Sequence, residues 1–147
     1  MDKFDKELLF GYKEVVLYYE QKVKNNPHGF YFKRSRLQNY LNDKKRTITI
    51  KDTLDDAELQ RKFKEYPVSF FCFTRTKAYS TIPSLLAHLR NSFAHGSFVI
   101  MPIGKQPYYC FTDAYPNGKK KGQISMIGQI PMKEFRQFIQ ELKENQQ

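Results

Sequence analysis

Apolar residues recur at helical spacing in the first part of the chain. Over residues 3–24 they fall on one face, and Asn25-Asn26-Pro27 ends the run. A shorter helix is predicted at about 33–44. Thr53 opens a third, to about Tyr66, with acidic residues first and lysines last, as the helix dipole favours. The first face consists of Phe4, Leu8, Tyr12, Val15, Val16, Tyr19 and Val23.

A two-residue alternation is typical of the later part of the chain. Residues 68–74 are mostly apolar and fit either a buried strand or a helical turn. Short strands are predicted at 98–101, 108–113 and 123–130, and an amphipathic helix from Met132 to Leu142 closes the chain. The length of 147 residues suits one domain, spanning 1–147. We therefore expect a mainly α fold: a helical bundle with a small antiparallel β-hairpin or meander before the C-terminal helix.

The segment from Ile82 to His95 carries two different stripes when it is wound as a helix, at about 100° per residue. The apolar stripe is predicted to face the core: Ile82, Leu85, Leu86, Leu89 and Phe93. The opposite stripe is polar and is expected to be exposed: Ser84, His88, Asn91 and His95. Gly96 is a helix-stop residue, so His95 lies in the last turn, where the helix dipole favours a cationic imidazole. Such a group suits proton transfer near neutral pH.

Arg90 is on the same helix but points elsewhere. It lies about 140° from His95 on an ideal helix, so one helix does not easily bring both groups to one phosphate. A two-fold pairing of such helices, or an unwinding at the helix end, would do so. For His88 taken alone, an incidental histidine on a polar surface is the favoured interpretation.

The charge balance indicates a polyanionic partner. The chain has 25 Lys and Arg against 15 Asp and Glu, a net charge of +10, which attracts nucleic acid in a salt-dependent manner. A lysine-rich solvated surface explains the same balance equally well. The basic side chains that could contact an RNA backbone are Lys33, Arg34, Arg36, Lys44, Lys45, Arg46, Lys119, Lys120 and Lys121.

Several classes of protein are disfavoured. The first residues lack the apolar core of a signal peptide, and no apolar run approaches the length of a membrane span, so a soluble cytoplasmic protein is expected. Cys72 and Cys110 sit in apolar runs, where cysteine behaves as a small hydrophobe, and their spacing does not indicate zinc. Asp113 stands alone, with no acidic cluster near the 82–95 helix. We expect no metal and no cofactor.

Arg90-Asn91-Ser92-Phe93-Ala94-His95 resembles the R-N-x3-H signature of the HEPN superfamily (higher eukaryotes and prokaryotes nucleotide-binding domain). The surrounding LLAHLRNSFAHGSF is similar to the small, plasmid- and defence-associated single-domain members. The resemblance implies a helical-bundle fold, a homodimer formed through the motif helices, and metal-independent endoribonuclease activity. It assigns the catalytic roles to Arg90, Asn91 and His95. Toxins of the superfamily that are silenced by nucleotidylation carry Tyr where this chain has Ser97, so that route of control is not expected.

RNA chemistry agrees with this implication, because RNA carries its own nucleophile, the 2′-OH. His95 would act as general base or acid, Arg90 would neutralise the phosphorane, and Asn91 would orient His95 or the phosphate. The products would be a 2′,3′-cyclic phosphate and a 5′-hydroxyl. The predicted protein is a toxin or anti-phage effector that acts on RNA, with a possible antitoxin or defence partner. The alternatives are a non-catalytic RNA-binding or scaffold member, and a simple helical dimerisation module.

Overall fold

The computed structural model describes residues 3–30, 32–55, 63–77 and 79–145. In these ranges the helices are α1 (Lys3–Gly11), which continues in π-helical geometry over Tyr12–Leu17 and Tyr19–Val23, α2 (Ser35–Asp43), α3 (Thr81–His95) and α4 (Met132–Lys143). The strands are β1 (Thr47–Lys51), β2 (Phe70–Thr74), β3 (Phe98–Ile103), β4 (Gln106–Ala114) and β5 (Ile124–Pro131).

The strands form one mixed sheet in the order β1-β2-β5-β4-β3. β1 and β2 are parallel, and the other neighbours are antiparallel. β5 is the central strand, paired with β2 on one side and with β4 on the other, and it is buried along its whole length. The expected mainly α bundle with a small β-meander is therefore wrong. The sheet is substantial because β2 and β1 join the three later strands across a long stretch of sequence.

Most individual elements agree with the predictions from the sequence. The helices at 3–24, 33–44, 82–95 and 132–142 and the three late strands are confirmed within a few residues. The ambiguous segment 68–74 contains a strand, β2, and β1 was not predicted. The helix predicted from Thr53 falls largely on residues 56–62, which lie outside the described residues, and the flanking stretches 53–55 and 63–66 are not helical.

The main core lies between one face of the sheet and the helices. Phe71 of β2 stacks on Phe138 of α4, with ring centroids 5.0 Å apart. Phe93 of α3 contacts Phe111 of β4 at 5.5 Å and Phe135 of α4 at 5.9 Å. This aromatic cluster fixes the two helices on the sheet. On the other face of the sheet, Cys72 and Cys110 are buried among apolar side chains, as predicted.

α3 is enclosed on both of its sides. Its apolar stripe is buried as predicted, against the N-terminal helix and the sheet. The opposite stripe is not a solvent face: Ser84 and His88 are buried, and only the C-terminal part of the stripe reaches solvent. The expected exposed polar face is therefore wrong for these two residues. Polar side chains on this side of α3 bond to strand backbone, as Ser92 does when its hydroxyl donates to the carbonyl oxygen of Thr112.

The N-terminal helix packs on α3 through residues spaced four apart: Gly11, Val15, Tyr19 and Val23. In a regular α-helix such a row drifts by about 40° at each step. Over Tyr12–Leu17 and Tyr19–Val23 the helix is π-helical, with i→i+5 hydrogen bonds and more residues in each turn, and all four residues of the row are buried. Tyr12, expected on the buried face, is 45% exposed instead.

Gly11 is required where the N-terminal helix meets α3, because a Cβ there would overlap the buried ring of Phe93. We expect Gly11→Ala to lower the free energy of unfolding by about 1–3 kcal/mol, the usual cost of overpacking, despite the better helix propensity of alanine. Urea unfolding followed by circular dichroism measures this loss. Lys13→Ala, on the exposed side of the same helix, is the control. Equal stability of the two variants would show that the helices are not in close contact at Gly11.

Candidate active site

The guanidinium of Arg90 is bound by two side chains, Glu20 of the N-terminal helix and Asn91 of α3. Its Nε donates to Oε1 of Glu20 at 3.0 Å, and its Nη2 lies 2.9 Å from the same oxygen. Its Nη1 donates to Oδ1 of Asn91 at 3.1 Å. Glu20 belongs to the π-helical segment Tyr19–Val23, so the wide turns of the N-terminal helix place this carboxylate beside α3.

Asn91 links Arg90 to the sheet. Its Nδ2 donates to Oδ2 of Asp113 on β4, at 3.0 Å. Since a carboxylate oxygen can only accept here, the amide nitrogen must face Asp113 and the amide oxygen must face Arg90. No hydrogen bond joins Asn91 to His95 among the described residues, so the expected orientation of His95 by Asn91 is not what this chain alone displays.

His88 is the residue that the sequence reasoning misjudged. It is only 4% exposed, and its Nδ1 lies 2.8 Å from Oδ2 of Asp113. Its Nε2 lies 2.7 Å from the carbonyl oxygen of Thr74 and 3.3 Å from Oγ1 of Thr76. Asp113, which looked isolated in the sequence, is therefore the centre of a buried polar network. One signal was present: a charged residue inside the apolar run of β4 requires a partner.

An open cavity of about 530 Å³ lies over this network. Arg90, Asn91, His88 and Asp113 all contribute to its wall. Further basic side chains line it from the N-terminal helix and from the loop after β2: Lys24, Arg75 and Lys77. Burial raises the pKa of the Tyr19 hydroxyl, which also lines the cavity, so this group stays neutral. The cavity thus offers guanidinium and ammonium groups to an anion the size of a phosphate.

His95 occupies a different position from Arg90. It is exposed at the last residue of α3, and Gly96 ends the helix in the left-handed conformation with φ of +65°, as predicted. His95 does not line the cavity, and it makes no hydrogen bond to Arg90 in the part of the chain that the structure describes. One chain therefore does not join the guanidinium and the imidazole at one point, which agrees with their angular separation on the helix.

The family of the chain follows from comparison with known proteins. The family model HEPN pEK499 p136 matches residues 11–146, which include the whole N-terminal contact with α3, the network and the last helix. The chain belongs to this family. It is thus a HEPN-superfamily domain of plasmid origin. Membership of this family suggests a function related to RNA, such as nuclease activity. No curated protein and no solved structure matches the chain.

The basic residues expected to contact RNA are distributed unevenly over this HEPN domain. Arg46 is buried: its Nη2 bonds to Glu134 at 2.8 Å and its Nη1 to the carbonyl oxygen of Tyr40, so it supports the fold and does not face a ligand. The guanidinium of Arg36 is paired with Glu141 at 3.1 Å but remains accessible to solvent. The other candidates lie at the surface: Lys33, Arg34, Lys44, Lys45, Lys119, Lys120 and Lys121.

Two further observations concern metal ions and membranes. Within the ranges described, no three His, Cys, Asp or Glu side chains are grouped closely enough to hold a metal ion. None of the helices described combines the length and the apolar character that crossing a membrane requires.

The two histidines of α3 should respond differently to truncation. His88→Ala leaves the Asp113 carboxylate buried without its imidazole partner, so we expect the free energy of unfolding to fall by about 3–5 kcal/mol. His95→Ala removes an exposed side chain and should change stability by no more than about 0.5 kcal/mol. Urea unfolding of both variants measures the contrast. A similar loss in the two would mean that His88 is not buried against Asp113.

Proposed function

We propose that this HEPN domain is a metal-independent endoribonuclease, acting in the cytoplasm as a toxin or anti-phage effector. The proposal rests on the hydrogen bonds of Arg90 and on its position at the cavity. Its guanidinium is oriented by Glu20 and Asn91 at the wall of an open cavity, next to the basic side chains Lys24, Arg75 and Lys77. A pre-oriented guanidinium among other cations is suited to an oxyanion, and the net charge of +10 favours RNA as its source.

The reaction needs only groups that the chain and RNA supply. The 2′-oxygen attacks the adjacent phosphorus, its proton passes to a base, and the bond from phosphorus to the 5′-oxygen breaks as that oxygen takes up a proton. His95, exposed in the last turn of α3, is assigned the proton transfer. Arg90 is assigned the role of stabilising the negative charge of the phosphorane, to which it can donate two parallel N–H groups. The products are a 2′,3′-cyclic phosphate and a 5′-hydroxyl.

A homodimer is part of this proposal. Arg90 lines the cavity, whereas His95 is exposed outside it, so the two groups act on one phosphate only if a second copy contributes one of them. A two-fold axis near the exposed end of α3 would place His95 of one subunit across from Arg90 of the other. The exposure of His95 supports this arrangement, since a residue that meets a partner must first be accessible.

A second candidate is a non-catalytic RNA-binding or scaffold protein of the same family. The ion pair between Arg90 and Glu20 favours it, because a carboxylate already neutralises the guanidinium that the reaction would need. The two candidates differ in their products: the second binds RNA in a salt-dependent manner but releases no cyclic phosphate.

Cleavage of bulk RNA in the presence of excess EDTA is the first expected outcome. His95→Ala should abolish it, because no other exposed side chain of α3 can exchange a proton near neutral pH, and the variant should retain its native stability. End-group analysis of the fragments identifies the cyclic phosphate. His28→Ala, which alters the exposed histidine of the loop after the N-terminal helix, serves as the control and should cut normally. Retained cutting by His95→Ala would exclude the assigned role.

Mixing two inactive variants tests whether the site spans two subunits. In a dimer of one Arg90→Ala and one His95→Ala subunit, the only intact pair joins Arg90 of one chain to His95 of the other. Equal mixing should therefore restore about a quarter of the wild-type rate, because half of the dimers are mixed and each has one complete site. No restored activity in a mixture shown to exchange subunits would place the site within one chain, or remove it altogether.

A further inference from the structure

We propose that Asp113 is a positioning residue, which acts through Asn91 to present Arg90 to the substrate phosphate and is itself fixed by His88. The proposed nuclease reaction supplies the substrate for this role. The arrangement itself can be tested without it, since it predicts the orientation of named side chains in the free protein.

The Asp113 carboxylate is buried, with only 5% of the residue exposed. Three groups meet it: Nδ1 of His88 at 2.8 Å and Nδ2 of Asn91 at 3.0 Å on Oδ2, and the backbone N–H of Ala114 at 2.9 Å on Oδ1. A buried carboxylate without such partners is strongly unfavourable. Any conformation that withdraws Asn91 or His88 from Asp113 is therefore disfavoured.

The Asn91 amide is held in one orientation by its contact with Asp113. Its two ends differ only in whether they donate or accept, so packing alone does not distinguish them. Asp113 removes this ambiguity because it accepts from the amide nitrogen. The amide oxygen is then directed to Nη1 of Arg90 at 3.1 Å. Asp113 thus fixes the amide oxygen of Asn91 as a hydrogen-bond acceptor for the guanidinium of Arg90.

The guanidinium of Arg90 is bound by side chains of two different helices. Glu20 binds Nε and Nη2 of Arg90, and the amide oxygen of Asn91 accepts a hydrogen bond from its Nη1. Arginine loses about 2 kcal/mol of side-chain entropy when it is fully ordered. Two anchors on different elements supply this order before a substrate arrives, and the remaining N–H groups are left for a phosphate in the cavity. Pre-orientation of this kind is what stabilises a charged transition state.

His88 completes the network and does not transfer protons to the substrate. Its Nε2 faces the carbonyl oxygen of Thr74, which only accepts, so that nitrogen carries a hydrogen. Its Nδ1 faces the Asp113 carboxylate at 2.8 Å. Both nitrogens are occupied and buried. His88 therefore ties Asp113 on β4 to the backbone of β2 and holds the carboxylate at its place under α3.

Asp113→Asn is the decisive substitution, because it keeps the shape and removes the charge. An amide nitrogen at the Oδ2 position would face the N–H groups of Asn91, and at the Oδ1 position the N–H of Ala114. Either orientation therefore places an N–H donor against at least one other donor. We expect the Asn91 side-chain amide and the Nη1–H groups of Arg90 to lose their protection from exchange in ¹H–¹⁵N spectra, and the ¹⁵N signals of His88 to change. Glu134→Gln, which removes the partly buried carboxylate paired with Arg46, is the control and should leave these signals unchanged.

Kinetics of RNA cleavage provide the second readout. Asp113→Asn should lower kcat by about tenfold to a hundredfold with a smaller change in KM, the effect of a misplaced group that acts in the transition state. In an Asn91→Ala background the same substitution should lower kcat by less than about twofold, because the route to Arg90 is already broken. Should Asp113→Asn not fold, His88→Gln removes the other support of the carboxylate and should change the same Asn91 and Arg90 signals.

The outcomes separate this inference from the proposed nuclease function. Altered Asn91 and Arg90 signals with non-additive kinetics support it. Altered signals in a protein that cuts no RNA also support the positioning role, while the nuclease proposal fails. Unchanged signals in folded Asp113→Asn overturn the role, whatever the activity. Full additivity of the two substitutions in kcat overturns it as well.

Discussion

The buried carboxylate of Asp113 is the constraint on which the arrangement of the motif helix depends. A charge in an apolar strand is tolerated only where donors converge on it, and here they come from α3 and from β4 itself. His88 extends the connection to the backbone of β2. These bonds fix both the rotation of α3 about its axis and its position along the sheet. Apolar packing alone would allow small slips of the helix, whereas the directional bonds do not.

The N-terminal helix determines which part of the motif stays accessible. Through its close approach at Gly11 and its π-helical turns it packs against the apolar stripe of α3. The same packing places the carboxylate of Glu20 in an ion pair with Arg90. The beginning and middle of α3 are thus enclosed, and the C-terminal turn with His95 is exposed. Arg90 is therefore bound at the wall of the cavity, whereas His95 is exposed to solvent. This difference results from the packing of the N-terminal helix and α3 with the sheet.

The fold illustrates the limits of local patterns. Elements with a clear period were predictable: the amphipathic helices and the alternating strand β5 each carry their own signal. β1 has only five residues and its partner β2 follows after a long connection, so nothing local indicated their parallel pairing. Because β5 pairs on both of its sides, three predicted late strands became the centre and one edge of a five-stranded sheet. The positions of four predicted helices were right, and the mainly α architecture was wrong.

The sequence by itself determined the identity of the motif, the helix that carries it, its stop at Gly96 and the angular separation of Arg90 from His95. These depend on residue type and helical geometry, which are local. Only the tertiary structure decided that Ser84 and His88 are buried, that Asp113 meets Asn91, and that Glu20 holds Arg90. The reason is physical: whether a polar stripe faces water or a strand depends on what packs against it, and the partners Asp113 and Glu20 lie 22 to 70 residues away along the chain.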